Sequence, residues 1–418
     1  MIKTKSLLIT LWLAILLFLQ LFVLSFKFNI ILQISSFIIF YMIYKTSISW
    51  EFIKLMKPLY IIFFVAFIGM LTIGGYKVFN VFKDVLHVLK PILGLLIGYM
   101  FVKEIGSLKR FINLIIILGL LSALYHYYLV FFTTDLSSGT IGALRFNAKD
   151  NFLEIISLFL LLYYHKFFGT KFTNNKYLFF LILGVLVFSF MLYFSRTMYV
   201  ILFIFILTFN GFTKINSQNI KIFLGILSLV ALLYIYLYSI KLNPRASGIE
   251  GFLFKIKMAP TEVFDTRLNN EHIMYLGENW RAYEVKRAYE LMKKNPQSFI
   301  WGTGYGSLVN LKFWAPLGSY KKGMKYISEL HNGYMYVFYK TGIIGLLSFI
   351  VFLMFLYHFI NLNNTNYLNI LISALGLSLI FSSLVFSGFY NYRDIYAIIL
   401  GGLLYFYYDG VRSNKITI

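Results

Sequence analysis

The sequence predicts an all-α polytopic membrane protein, with about twelve transmembrane helices and one large extracytoplasmic loop, as a single integral membrane domain over 1–418. Three observations predict it. Hydrophobic residues make up 60% of the 418 residues and charged residues only 13%, with a mean hydropathy of +0.76. Apolar runs of about eighteen residues or more recur along the chain, the length at which a helix crosses the hydrocarbon core with its backbone groups paired internally. Aromatic residues, 20% of the chain, suit belts of rings at both membrane interfaces.

In chain order the spans read as 6–26, 28–44, 57–75, 86–102, 111–132, 152–168, 178–194, 197–213, 221–240, 342–360, 366–386 and 394–408. The first follows a short basic start and lacks a small-x-small cleavage site, so it reads as an uncleaved span and not as a signal peptide. The fourth has an alternative reading, because KVFNVFKDVLHVLK also suits an interfacial amphipathic helix leading to Pro91.

Basic residues set the orientation. With the N-terminus inside, the inner loops hold Lys3 and Lys5; Lys45, Lys54 and Lys57; Lys103, Lys109 and Arg110; Lys166, Lys171 and Lys176; Lys214 and Lys221; and Arg412 and Lys415. An even span count then places both termini in the cytoplasm. Residues 241–330 form a polar loop on the outer side between spans nine and ten, with fourteen Lys and Arg against eight Asp and Glu. Long loops translocate regardless of charge, so its basic balance does not conflict with the orientation.

Within this loop, 279–294 reads as an amphipathic helix. Arg281, Val285, Ala288 and Met292 share one stripe with Tyr289 beside them, and Asn295-Pro296 ends the helix. The sequence Gly-Thr-Gly-Tyr-Gly over 302–306 has no strand–turn–helix of a nucleotide fold around it and reads as a tight turn.

The net charge of +22 would suggest nucleic acid in a soluble protein; here most of it sits in loops that meet lipid headgroups. With no Cys, disulfides, thiol catalysis and Cys-ligated metals are excluded. No P-loop and no metal-ligand spacing are present, so neither ATP, a bound cation nor any other cofactor is expected.

Charged or titratable residues where apolar sequence is expected mark the candidate site. His331, among only six His, opens the stretch H-N-G-Y at the junction of loop and span, with Asn332 beside it. Arg196 lies in Ser195-Arg196-Thr197 between two apolar runs. Arg281 lies among apolar neighbours, with Glu278 or Glu284 as possible partners. Arg145, with Asn147, Lys149, Asp150 and Asn151, precedes the sixth span, and Arg393 stands beside Asp394 in the last outer turn. Each also has a bland reading: a capping histidine, interfacial anchors, an ion pair, an N-cap. On the topology above, the four arginines and His331 share the outer face. That grouping suits a substrate with an anionic phosphate headgroup and a lipid tail, with guanidinium forks on the phosphates and an imidazole accepting a proton from an attacking hydroxyl. Lys340 reads equally as a residue that snorkels to the interface and as one that touches substrate.

Four local patterns resemble the O-antigen ligase and O-antigen polymerase superfamily of bacterial envelope glycosyltransferases. They are R-F-N-A-K-D-N at 145–151, S-R at 195–196, W-R-x-Y with its N-P and G-x-G-x-G sequel at 280–306, and H-N-G-Y…K-T-G-I-I-G at 331–345. The span count and the single outer loop before the tenth span agree with them. The resemblance implies metal-independent, inverting glycosyl transfer from an undecaprenyl-diphosphate-linked oligosaccharide at the outer face of the bacterial plasma (inner) membrane. It implies that Arg196 and Arg281 engage the pyrophosphate and that His331 activates the acceptor hydroxyl. Arg145, Asn151, Asn332 and Arg393 follow as further candidates for substrate binding. Expected partners are the lipid-linked oligosaccharide, membrane lipid, a chain-length regulator and a flippase, with no nucleic acid. The leading functional reading is a polysaccharide repeat-unit polymerase; the alternatives are a ligase acting on lipid A-core, a flippase and a scaffold.

Overall fold

The structure, a computed structural model, describes residues 2–23, 25–133, 152–243, 248–262, 276–315, 323–362, 366–391 and 395–410. Its helices are α1 (Ile2–Phe22), α2 (Phe26–Tyr44), α3 (Trp50–Ile73), α4 (Val78–Ile105), α5 (Leu108–Tyr128), α6 (Phe152–Leu162), α7 (Tyr164–Phe168), α8 (Lys176–Leu192), α9 (Arg196–Phe209), α10 (Ser217–Ser239), α11 (Gly248–Glu262), α12 (Leu276–Lys293), α13 (Ser298–Trp301), α14 (Gly333–Leu362), α15 (Tyr367–Val385) and α16 (Tyr396–Tyr405). One antiparallel hairpin, β1 (Val309–Ala315) with β2 (Met324–Ile327), lies in the loop region, where the sequence reading had placed no strand. Helix starts follow local chemistry: Ser25, Ser49, Ser107, Asn175, Asn216 and Asn366 each accept a backbone N–H in the first turn of the helix they precede.

Among the described residues, eight helices are long and apolar enough to cross a membrane: α1 to α5, α10, α14 and α15. The chain is a multi-pass helical membrane protein. The expected twelve spans are met only in part, because the helices in the remaining stretches, α6, α8, α9 and α16, are shorter.

The fourth apolar stretch is a candidate span, as expected, and not the interfacial helix of its alternative reading. It is one helix running through Pro91, and Asp84, His87 and Lys90 on it are 2, 3 and 4% exposed. A surface-lying helix would turn these charges to water. One expectation is corrected: α14, the helix of the expected tenth span, begins at Gly333, ahead of 342, so Lys340 lies inside it at 1% exposure and does not snorkel.

Helix α4 is the centre of the bundle. Small residues let α16 approach it, with Gly94 and Gly98 against Ala397 and Ile398, and Gly401 against Leu95. The hairpin of α14 and α15 packs beside α3 and α9.

Polar contacts divide the molecule into two ends. At one end Lys5 pairs with Glu104 at 2.9 Å, Lys103 pairs with Asp409 at 3.1 Å, the Ser49 N–H donates to Tyr99 Oη at 3.1 Å, and Arg110 donates to Ser6 Oγ at 2.6 Å. The start of α1, the α2–α3 and α4–α5 turns and the segment after α16 therefore meet there. At the other end lie the α3–α4 turn, residues 302–307 and His331. Helix α9 ties in between. Tyr357 of α14 donates to Thr213 O just beyond α9, whereas Tyr334 donates to Ile380 O. The C-terminal end of α9 therefore lies beside Tyr357, and Arg196 at its start points to the end that carries His331.

Candidate active site

Helix α12 presents its buried face as Trp280, Glu284, Ala288 and Met292, all below 8% exposed. The stripe is rotated by about one residue from the expected one. Arg281 and Val285 lie at its edge, and Tyr289 faces outward at 43% exposure. The cause is Glu284, a carboxylate among apolar residues that pattern reading assigns to the polar side.

Glu284 is 1% exposed because it is occupied by His331. The His331 backbone N–H donates to Oε2 at 2.9 Å, and ring Nδ1 lies 3.0 and 3.1 Å from the two carboxylate oxygens. A carboxylate offers only acceptors, so Nδ1 carries a proton and the Nε2 lone pair faces outward from a ring that is half exposed. The next residue, Asn332, is bound at both ends of its amide. Oδ1 accepts the Met335 N–H at 2.8 Å as the cap of α14, and Nδ2 donates to Leu384 O at 3.1 Å. It thus fastens the histidine to the end of α15.

Arg281 lies three residues before Glu284 on the same helix, a spacing that sets the two Cβ atoms about 5–6 Å apart. Of its two possible carboxylate partners, Glu284 binds His331, and the side chain of Glu278 lies outside the described residues. Arg281 thus lies one helical turn from the carboxylate that holds His331, and the start of α9, with Arg196, lies toward the same end of the bundle. Arg145, Asn151 and Arg393 lie outside the described residues.

A buried platform underlies the site. The Gly-Thr-Gly-Tyr-Gly segment is a turn, as expected, but one wedged into the bundle. Gly302, Gly304 and Gly306 have φ of 78°, 74° and 86°. A Cβ on Gly302 would strike the Lys340 carbonyl, and one on Gly342 (φ 62°), where α14 kinks, would strike the Ile300 carbonyl. Thr303 and Gly304 donate to the carbonyls of Tyr339 and Lys340 at 2.7 and 3.0 Å, and Tyr305 N–H reaches Ala66 O of α3 at 3.4 Å. Irregular backbone at this depth survives only when protein satisfies it. Here the Lys340 ammonium ion-pairs with Asp84 of α4 and donates to Ser307 O at 2.8 Å, while Asp84 also accepts the Gly306 N–H at 2.8 Å.

From this platform two contacts reach the segment that leads into His331. Lys83 pairs with Glu329 at 3.0 Å, and Tyr339 Oη donates to Ser328 O at 2.5 Å. Burial pushes the Glu329 carboxyl up, but the charges of His87, Lys83 and Lys340 outweigh it and hold the group below its ordinary range. Burial and the nearby Asp84 charge push Tyr76, in the α3–α4 turn, up to about 12, and its hydroxyl donates to Thr303 O at 2.8 Å.

Glu284, Asp84 and Lys83 were missed from sequence. They lie 47 residues or more from their partners. An acid on an otherwise apolar stripe was the one available signal for Glu284.

Fold and site together define a class: a multi-pass membrane protein with a carboxylate-held histidine at one end of its bundle. A comparison with protein families assigns the region that carries it. Residues 178–350 match the family described as O-antigen ligase, one of the families that the chain's motifs resemble. The match runs from α8 into α14 and contains Arg196, Arg281, Glu284 and His331. No curated protein matches the chain.

Proposed function

We propose that this protein is a polysaccharide repeat-unit polymerase that joins polyprenyl-diphosphate-linked oligosaccharides at the outer face of a bacterial plasma membrane, with both termini cytoplasmic and 241–330 outside. The donor is an undecaprenyl-diphosphate-linked glycan. The observation that carries the reading is the bond of His331 Nδ1 to buried Glu284, which leaves Nε2 free.

In this reading Nε2 takes the proton of an acceptor sugar hydroxyl. The oxygen attacks the anomeric carbon of the donor from the face opposite the diphosphate. The new C–O bond forms as the bond to the diphosphate breaks, so the configuration inverts and polyprenyl diphosphate leaves. Glu284 balances the positive charge that develops on the imidazole, as orienting carboxylates do for catalytic histidines. Arg196 and Arg281 supply the positive charge that the departing diphosphate needs. Two guanidinium groups can do this without a divalent cation, so activity is expected to survive a chelator.

Transfer of finished glycan to lipid A-core is the second reading, favoured by the ligase description of the matching family. A deletion strain separates them. A single repeat left on the acceptor means polymerase, full-length chains stranded on undecaprenyl diphosphate mean ligase, and repeats trapped inside mean flippase. His331→Ala should abolish product while the protein remains inserted; wild-type product in that variant would end the assignment of a base.

A further inference from the structure

A second polar cluster lies outside the residues used above. Glu154, in the first turn of α6, is 1% exposed. Its Oε1 accepts from Ser122 Oγ of α5 and from Tyr193 Oη, each at 3.0 Å, and its Oε2 accepts from Ser189 Oγ of α8 at 2.7 Å. Ser189 Oγ lies 2.9 Å from His126 Nδ1 of α5, and the His126 ring stacks on Tyr193 with centroids 3.8 Å apart. Since the serine proton is given to the carboxylate, its lone pair faces an Nδ1–H. A buried carboxylate in a membrane bundle is expensive and calls for a specific use.

The use lies two residues on. Tyr193 closes α8, and Ser195 and Arg196 open α9. Between them Phe194 has φ of 45°, a left-handed conformation that is costly for a bulky residue and is kept only when its surroundings enforce it. Tyr193, 4% exposed and held by both hydroxyl and ring, is the fixed side of that turn. If the anchor is lost, Phe194 relaxes and the start of α9 swings relative to α8.

We propose that Glu154 is a positioning residue for Arg196: through Tyr193 and Ser189 it holds the left-handed turn that aims this arginine at the diphosphate of the lipid-linked substrate. The inference rests on the reading of Arg196 given above.

The test uses purified full-length protein in detergent, with undecaprenyl diphosphate as the probe and its dissociation constant as the readout. Arg196→Ala should weaken binding roughly tenfold or more, the loss of a charged hydrogen-bonding pair. Glu154→Gln should give part of that loss, and the double variant should bind no more weakly than Arg196→Ala alone. Tyr193→Phe, which deletes one hydroxyl, should move affinity the same way by a smaller factor and serves in the same cycle if Glu154→Gln does not fold. Affinity within about twofold of wild type in Glu154→Gln, or losses that multiply in the Arg196→Ala background, would overturn the positioning role, since a merely structural effect persists without the arginine. Wild-type affinity in Arg196→Ala would instead overturn the diphosphate reading itself, and this inference with it.

Discussion

Replacing Glu284 by Gln keeps the size of the side chain and removes its charge. In the structure that charge lies 3.0 Å from His331 Nδ1. At this separation, a unit charge pair with an effective dielectric of about 20 interacts by about 5 kcal/mol. The ring is half exposed and solvent screens it, so discounting by about half leaves roughly 2–3 kcal/mol of support for the imidazolium formed as the acceptor loses its proton. That corresponds to about 30–150-fold in kcat. The variant amide can also present N–H to Nδ1 and force the other tautomer, with the proton on Nε2. The histidine then has no lone pair for the acceptor, and the loss moves toward about 10⁴-fold, as when other catalytic histidines lose their orienting carboxylate. The assay is the turnover of lipid-linked repeat units by the reconstituted protein, with circular dichroism to check the fold. Glu284→Gln combined with His331→Ala should be no slower than His331→Ala alone, because the carboxylate acts through the ring. A kcat within about threefold of wild type in Glu284→Gln would refute the dyad.

Further expectations follow from the same geometry. Arg281→Lys should be nearly as damaging as Arg281→Ala, since an ammonium cannot make the bidentate fork, and full polymer length in the Lys variant would argue against a phosphate clamp. Lys340→Met leaves Asp84 buried without its cation and should lower stability by about 3–5 kcal/mol in denaturation of the purified protein. Combining it with Asp84→Leu should recover part of that loss, and an unchanged melting temperature in the single variant would contradict the platform. Glu329 has a carboxyl pKa depressed on folding. Its contribution is therefore present above the unfolded-state value and lost as pH falls through the lower folded-state value. Glu329→Gln should be less stable than wild type at neutral pH, the gap closing in acid; a gap that persists in acid would remove the charge from the explanation.

The sequence by itself determined the class of molecule. Apolarity over about twenty residues is a local property, so α1 to α5, α10, α14 and α15 are legible as runs. It also exposed His331, Arg196 and Arg281, because a charged or titratable group beside apolar sequence is conspicuous without knowing its neighbours. The shorter helices were harder, because α6, α8 and α9 depend on packing against longer ones and their lengths are not set by their own hydropathy.

Only the tertiary structure decided who meets whom. Lys340 read from sequence equally as an interfacial lysine and as one that touches substrate, because its partner, Asp84, is 256 positions away on α4. The Gly-Thr-Gly-Tyr-Gly stretch read as a tight turn and no more, because nothing local says that α14 kinks at Gly342 to receive it. Glu284 read as a possible partner of Arg281 on an amphipathic helix, while a rotation of about one residue turned it inward to His331. Burial can be inferred from a run of residues, but the pairing of buried charges depends on loop closure across the whole chain. The energy that keeps a charge inside comes from that pairing.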